Sequence, residues 1–267
     1  MVFMQRFNWV LVGVFIFLSK PVFADRIQLS YEGFLGPLFV ISDVAELNLS
    51  AISYAVKTTS KTEGFGAWFF PWRNEAVSVG MNINGEIHPK NFHMKSKWND
   101  RERDVELQSG NLYPEIKKIT PLATMVENTP VKTDLTSKTI DPLSMAVKLM
   151  ITMGRAERCP DKIRVFDGRR RCDLRFSEEI GKALVKNSST IFGGSARSCA
   201  MSIKRIAGFW KESEIITKTK GLPRIWLGRP VKELPMVPVK FEANYRFGVI
   251  RIHLTALKAG SIIRTLD

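Results

Sequence analysis

The three cysteines are the side chains of this sequence with the widest choice of chemistry. Cys159, Cys172 and Cys199 lie far apart along the 267-residue chain, and its three histidines lie elsewhere. A zinc site needs about four ligands at short spacing, so the pattern argues against a metal. A disulfide between Cys159, which precedes a hairpin, and Cys199, on a strand that could lie beside it, is expected. Three buried free thiols are the competing interpretation.

Nucleophilic and acid–base catalysis find little support in the sequence. The Gly-x-Ser-x-Gly motif of serine hydrolases is absent, and the glycine-rich turn at 193–195 has no histidine near it in sequence. A glycosidase needs two carboxylates facing one cleft, but the acids at 100–106 and 178–179 are interspersed with Arg and Lys, as on a solvated surface. The sequence therefore assigns no catalytic residue and no cofactor, and we expect a protein that is not an enzyme.

Arginine is concentrated in one expected hairpin of the second half of the chain. The guanidinium group binds phosphate and carboxylate in a bidentate manner, so this hairpin is a candidate docking surface for anions. The alternative is that the charges prevent edge-to-edge strand pairing. The four candidate residues are Arg164, Arg169, Arg171 and Arg175.

Two groups of apolar residues are candidates for the wall of a binding groove. The first is an aromatic patch around Pro71, in which adjacent aromatics would point to opposite faces of a strand. It could be exposed and bind a ligand, or it could fill the core at a bulge. The second group lies at helical spacing further along the chain. The candidate wall consists of Trp68, Phe70, Trp72, Leu143, Val147 and Met150.

The elements that position these residues are predicted to be mostly strands. Short alternating segments are separated by turn signals, of which Asn84-Gly85 is the strongest. Asp141-Pro142 is a good helix start, and the following apolar stripe predicts one helix at 141–153. Residues 111–139 are proline-rich and are interpreted as an extended crossover loop. The expected fold is mainly β, a single strongly curved antiparallel sheet (half-barrel or β-spiral) with one main helix packed on or in it.

The N-terminus predicts export. Arg6, an apolar run over 10–18 and the small residues of Val22-Phe23-Ala24 follow the order of a secretory signal cleaved after Ala24. The apolar run is shorter than the roughly 20 residues of a membrane span. Removal of residues 1–24 lowers the formal net charge from +14 to +12. We therefore expect a basic periplasmic domain at 25–267 that does not span the membrane and does not bind nucleic acid.

The sequence resembles the exported bacterial family known as DUF3108 in the order of several residues along the chain. They are Tyr31, Gly85, Pro89, Phe92, Asp141-Pro142, the segment 165–170, Cys199, Gly208, Pro235, Pro238-Val239 and the strand 248–250. The resemblance implies a periplasmic, non-enzymatic protein with a strongly curved β-sheet, similar to the half-barrels that carry lipoproteins. It transfers no catalytic residue. Cys172 departs from the family pattern, in which an aromatic would suit the strand, and this leaves the disulfide partner of Cys199 open.

Two classes of function follow from these expectations. In the first, a concave apolar groove binds a lipid, a lipoprotein or an extended peptide and serves cell-envelope maintenance. In the second, an exposed patch or sheet edge makes the protein a structural partner of envelope protein complexes. Hydrolysis is a distant third. The first two differ in whether the concave face is open or filled by the protein's own side chains.

Overall fold

The structure is a computed structural model, and it describes residues 26–122, 130–156, 158–209 and 219–266. The side chains of 180–182 are not described. The predicted signal at 1–24 lies outside these residues, so its cleavage after Ala24 stays a prediction. The described part of the chain is mainly β, as expected, with one long helix.

The described residues contain fourteen strands and two α-helices. The helices are α1 (Gly64–Phe69) and α2 (Pro142–Ala156), and a 3-10 turn covers Thr133–Thr136. The strands are β1 (Ile27–Leu35), β2 (Leu38–Leu49), β3 (Ser53–Thr62), β4 (Trp72–Ile83), β5 (Glu86–Trp98), β6 (Arg101–Gln108), β7 (Glu115–Thr120), β8 (Lys162–Phe166), β9 (Arg171–Leu184), β10 (Gly194–Ala207), β11 (Arg224–Gly228), β12 (Val237–Tyr245), β13 (Gly248–Ala259) and β14 (Ile262–Thr265).

All strands belong to one antiparallel sheet that is not closed. From β7 to β1 and from β8 to β13, each strand pairs with its neighbour in the chain, and β14 pairs with β13. The two runs are joined by the pairing of β1 with β13, in which Ile27 lies opposite Ala259 and Leu35 opposite Ile250. The order therefore ends at β7 on one side and at β8 on the other.

The sequence explains these strands through alternation and turn chemistry. In β4 every second residue from Ala76 to Asn82 is buried, as on a sheet with one face on the core. The turn that follows places Asn84 at φ 55° and Gly85 at φ 95°. Positive φ at both central residues defines the hairpin turn that matches strand twist, which is why Asn-Gly predicted this hairpin.

Helix α2 fills the concave side of the sheet. Asp141 caps its first turn through hydrogen bonds from the backbone N–H groups of Leu143 and Ser144, each 2.9 Å long. Val147, Leu149, Met150 and Met153 are buried in a core cluster that includes residues of β1, β2, β3 and β8 to β13. The helix begins where predicted but runs to Ala156, beyond the expected end at 153.

Three further segments differ from the sequence interpretation. Residues 111–139 contain β7 and the 3-10 turn, so this segment is not a loop throughout. The aromatic patch begins in the short helix α1 and not in a strand. The pair Asp167-Gly168 predicts a two-residue turn between β8 and β9, but the turn spans 167–170 and is closed by a 3.2 Å hydrogen bond from the N–H of Asp167 to the carbonyl of Arg170.

Candidate functional site

The two ends of the sheet approach each other where β8 and the turn that follows it pack against β5 and β6, and we call this contact the seam. Phe166 at the end of β8 packs in a second core cluster with Phe92 of β5 and with Val105 and Leu107 of β6. A Cβ built on Gly168 would lie only 2.3 Å from Val105 Cγ1. The turn after β8 is therefore pressed against β6, although no hydrogen-bond ladder joins the two ends among the described strands.

The segment before α2 covers the outer edge of β8 and forms one side of the seam. Ile140 forms a parallel bridge with Val165, with 3.0 Å hydrogen bonds from the Ile140 N–H to Arg164 and from the Phe166 N–H to Ile140. Arg171 Nε donates to the carbonyl of Leu135 at 2.8 Å. Among the described residues, no strand pairs with the outer edge of β7, and two cavities lie between this segment and the loop 110–114 that leads into β7.

Two adjoining cavities of about 510 and 520 Å³ occupy the seam, and we call them together the seam groove. Both cavities are bordered by the loop 110–114 and by Phe166. The first extends along β5 and the start of α2, and the second extends along Ile116 and the 3-10 turn. Apolar side chains form much of the wall: Ile87, Phe92, Leu107, Leu112, Tyr113, Pro114, Ile116, Val131, Ile140 and Phe166.

Three lysine side chains line the first cavity of the seam groove. Lys90 and Lys138 are exposed, and Lys148 of α2 lies 3.1 Å from Glu86 of β5. The wall therefore combines an apolar surface with positive charge at its border. Such a combination suits a molecule with an apolar chain and an anionic head group.

Asp141 also borders the groove, but its carboxylate is fully engaged in the fold. Oδ1 accepts the two capping hydrogen bonds, and Oδ2 accepts hydrogen bonds from the hydroxyls of Ser78 (3.0 Å) and Ser144. Ser144 in turn lies 2.6 Å from the hydroxyl of Tyr54. Burial raises the pKa of Asp141, against the lowering effect of these hydrogen bonds. The network anchors α2 to β3 and β4, and it presents no free nucleophile or base.

The structure does not bring the six expected wall residues together. Val147 and Met150 are buried between α2 and the sheet, and Leu143 packs partly buried against both core clusters. Trp68 and Phe70 are exposed in and after α1, and Trp72 is half-buried with its Nε1 donating to Ser96 Oγ at 3.1 Å. None of the six lines the seam groove.

The basic hairpin is only partly a surface. Arg169 and Arg171 are 2% and 4% exposed, because they donate to the carbonyls of Pro121 and Leu135 and because Arg171 pairs with Asp173 at 2.7 Å. These two residues therefore stabilise the seam and are not available for docking. Arg164 and Arg175 are exposed. Sequence reasoning missed the burial because the partners are backbone carbonyls of distant segments.

The disulfide expectation is confirmed: Cys159 and Cys199 are bonded. Cys172 is a free cysteine on β9, half-buried on the side of the sheet that carries Leu174 and Phe176. Burial and then the charge of Asp167 raise the pKa of its thiol to about 11. Among the described residues, no group of three His, Cys, Asp or Glu side chains could hold a metal ion.

The buried thiol of Cys172 should react slowly with alkylating reagents. Only the thiolate is nucleophilic, so a pKa of about 11 predicts that iodoacetamide at pH 7.5 modifies the native chain at least about a hundredfold more slowly than the chain unfolded in urea. Mass spectrometry of timed samples, without reductant, gives both rates. Equal rates would show that the site is open and its thiol unperturbed.

Comparison with known proteins identifies the fold and the family. No helix within the described residues has the length and apolar character to cross a membrane. No curated protein matches the chain. A crystal structure described as a beta-barrel-like protein of domain of unknown function DUF1849 from Brucella abortus is similar at a TM-score of 0.54 and 12% identity, over 90% of this chain and 100% of that chain. At this identity the likeness shows the fold alone. The family model described as "Protein of unknown function (DUF3108)" matches residues 39–255, most of the chain, and the protein therefore belongs to the DUF3108 family.

Proposed function

We propose that this protein is a non-enzymatic binding protein that holds an anionic amphiphile, such as a fatty acid or a lipid acyl chain, in the seam groove. The observation that carries the proposal is the pair of cavities between the loop 110–114 and the segment before α2, where apolar side chains lie beside exposed lysines. Helix α2 occupies the centre of the concave face, so we propose the seam and not that face as the binding site.

The size and lining of the seam groove support this assignment. Small-molecule pockets range from about 300 to 1,000 Å³, and each of the two cavities falls within that range. Each methylene removed from water contributes about 0.8 kcal/mol, so an acyl chain on this wall gains affinity with its length. Lys90 and Lys138 would orient the anionic head at the open side.

The compartment is part of the proposal. A disulfide is stable in oxidising compartments and rare in the cytosol, so the bond between Cys159 and Cys199 supports a site of action outside the cytoplasm. Together with the predicted signal at 1–24, it supports the periplasm and a role in maintaining the cell envelope.

Fatty acid binding tests the proposal directly. We expect palmitate to displace a fluorescent fatty acid from the purified chain, and Leu112→Glu with Ile116→Glu to weaken palmitate about tenfold or more. Leu112 borders both cavities and Ile116 borders the second. The double variant removes two apolar contacts and adds repulsion of the head group. Both side chains are well exposed, so the fold should tolerate the change.

A matched variant separates the groove from a general charge effect. Val185→Glu with Ile263→Glu adds the same charge at two exposed apolar positions outside the groove. This variant should bind palmitate within about twofold of the original chain. Absence of palmitate binding, or equal losses in the two double variants, would contradict the proposal.

A second candidate is a structural partner role through β7. This strand ends the sheet, and its outer edge has no partner strand among the described residues. An extended peptide could add to such an edge through main-chain hydrogen bonds. Native mass spectrometry of the protein purified from the periplasm distinguishes the two: a co-purifying lipid favours the groove, and a stable hetero-complex favours the edge.

A further inference from the structure

The connections at one end of the sheet form a continuous surface. In an antiparallel sheet successive turns lie at opposite ends, so the connections 36–37, 63–71, 99–100 and 246–247 share one end. Hydrogen bonds link them: Gly36 N–H to Val249 (3.0 Å), Glu63 N–H to Val40 (2.9 Å) and Asn99 N–H to Pro71 (3.2 Å). We call this surface, with the adjoining segment 219–223, the aromatic end.

Exposed aromatic side chains are confined to the aromatic end. Trp68 and Phe69 of α1 are 81% and 79% exposed, which is unusual for such large apolar groups. Within the described part of the chain, every Phe or Trp classed as exposed lies here: Phe39, Phe65, Trp68, Phe69, Phe70 and Phe247. Leu38 and Leu222 are exposed at the same end. The aromatic groups project from several connections, so they form a surface and not one protruding loop.

Ring contacts give the aromatic end a defined shape. Phe65 stacks on Trp68 with centroids 5.5 Å apart, and Phe70 stacks on Trp98 of the next hairpin at 4.7 Å. Tyr245 stacks on Phe247 at 5.3 Å. Helix α1 is held close to β2, since a Cβ on Gly66 would lie 3.3 Å from the carbonyl oxygen of Val40. The patch is therefore preorganised by the fold.

The charge of the aromatic end is positive. The charge is counted over the four connections, two flanking residues on each side of each connection, and the segment 219–223. In this region two acids form ion pairs with lysines: Glu63 with Lys61 at 2.8 Å and Glu102 with Lys97 at 3.2 Å. The remaining acid is Asp100. Against it stand four basic residues: Arg73, Arg101, Lys220 and Arg246.

We propose that the aromatic end docks the protein on the surface of an anionic lipid bilayer. Trp and Phe insert at the level of the lipid head groups, and Lys and Arg beside them are attracted to anionic lipids. The aromatic end has both features in one place. Its positive charge complements the negative surface of an anionic bilayer. This inference is independent of the seam groove and would hold if that groove bound nothing.

Vesicle binding tests the docking surface. The full chain should co-sediment with vesicles of phosphatidylglycerol and phosphatidylcholine, more weakly with phosphatidylcholine alone, and more weakly again at high salt. Trp68→Ser with Phe69→Ser should weaken partitioning at least tenfold. The control Ile52→Ser with Ile83→Ser removes two exposed apolar side chains at the opposite end of the sheet and should bind like the original chain. All variants carry the same N-terminus, so its contribution to binding is constant.

The position of Trp68 in the bilayer gives a second readout. Brominated phosphatidylglycerol should quench the fluorescence of the original chain, and Trp68→Phe should lose much of this quenching while it still co-sediments. The proposal is overturned if the aromatic variant and the control bind vesicles equally. It is also overturned if the full chain forms a dimer in solution that the aromatic variant abolishes, because the patch would then be covered by a second copy.

Discussion

Replacing both Cys159 and Cys199 with alanine should lower the free energy of unfolding by about 3 to 4 kcal/mol in the chain-entropy model. The bond closes a loop over a sequence separation of 40. It ties the segment that leaves α2 to β10, where Cys199 is fully buried. The loss should appear as a lower denaturant midpoint in guanidinium unfolding, and reduction of the original chain should reproduce it.

The third cysteine supplies the control for this prediction. Cys172→Ala removes a half-buried thiol that bonds to no other cysteine, so its cost should be about 1 kcal/mol or less. If the double alanine variant unfolds at the same denaturant concentration as the original chain, the disulfide contributes nothing to the stability of the fold.

Asp141→Ala should lower the free energy of unfolding by a similar amount, about 3 to 4 kcal/mol. The substitution removes the cap of α2 and leaves the hydroxyls of Ser78 and Ser144 without their buried acceptor. Since α2 fills the concave side of the sheet, weakening its first turn should loosen both core clusters. Guanidinium unfolding followed by circular dichroism measures the loss.

Asp141→Asn is the matched control, and it adds a pH test. Asparagine caps helices as well as aspartate, so this variant should lose less than half as much stability as Asp141→Ala.

Burial raises the pKa of Asp141 in the folded chain. The folded state therefore holds the proton more tightly than the unfolded state, and stability falls as pH rises from about 4 through the folded pKa. Asp141→Asn lacks this fall, so its stability relative to the original chain should improve with rising pH. A constant difference between the two from pH 3 to 7 would contradict the assignment.

The fold class was predictable because its signals are local. Alternation gives half-buried strands, the pair Asn84-Gly85 specifies a tight hairpin, and Asp141-Pro142 starts the helix. Strand β7 was missed since five of its six residues are exposed, and an exposed strand shows no apolar alternation. Helix α1 was missed because it has only six residues, none buried, and no side-chain cap.

The candidate site was not predictable from the sequence. The seam groove is formed where β5, β6 and β7 meet β8 and the segment before α2, and no local pattern reports that meeting. One weak signal was available: Gly168 adopts φ 88° beside β6, and a glycine at a tight turn can mark the close approach of another strand. The aromatic patch around Pro71 was recognised, but its exposure depended on the packing of α1.

The pairing of β1 with β13 has a kinetic meaning. Every other ladder in the described sheet joins strands that follow one another along the chain, whereas this one joins residues more than 200 positions apart, such as Leu29 and Leu257. Ladders between strands that are close in sequence form early, because closing a short loop costs less conformational entropy than closing a long one. The meanders β1 to β7 and β8 to β13 should therefore form first. The pairing of β1 with β13 should form late and complete the native sheet.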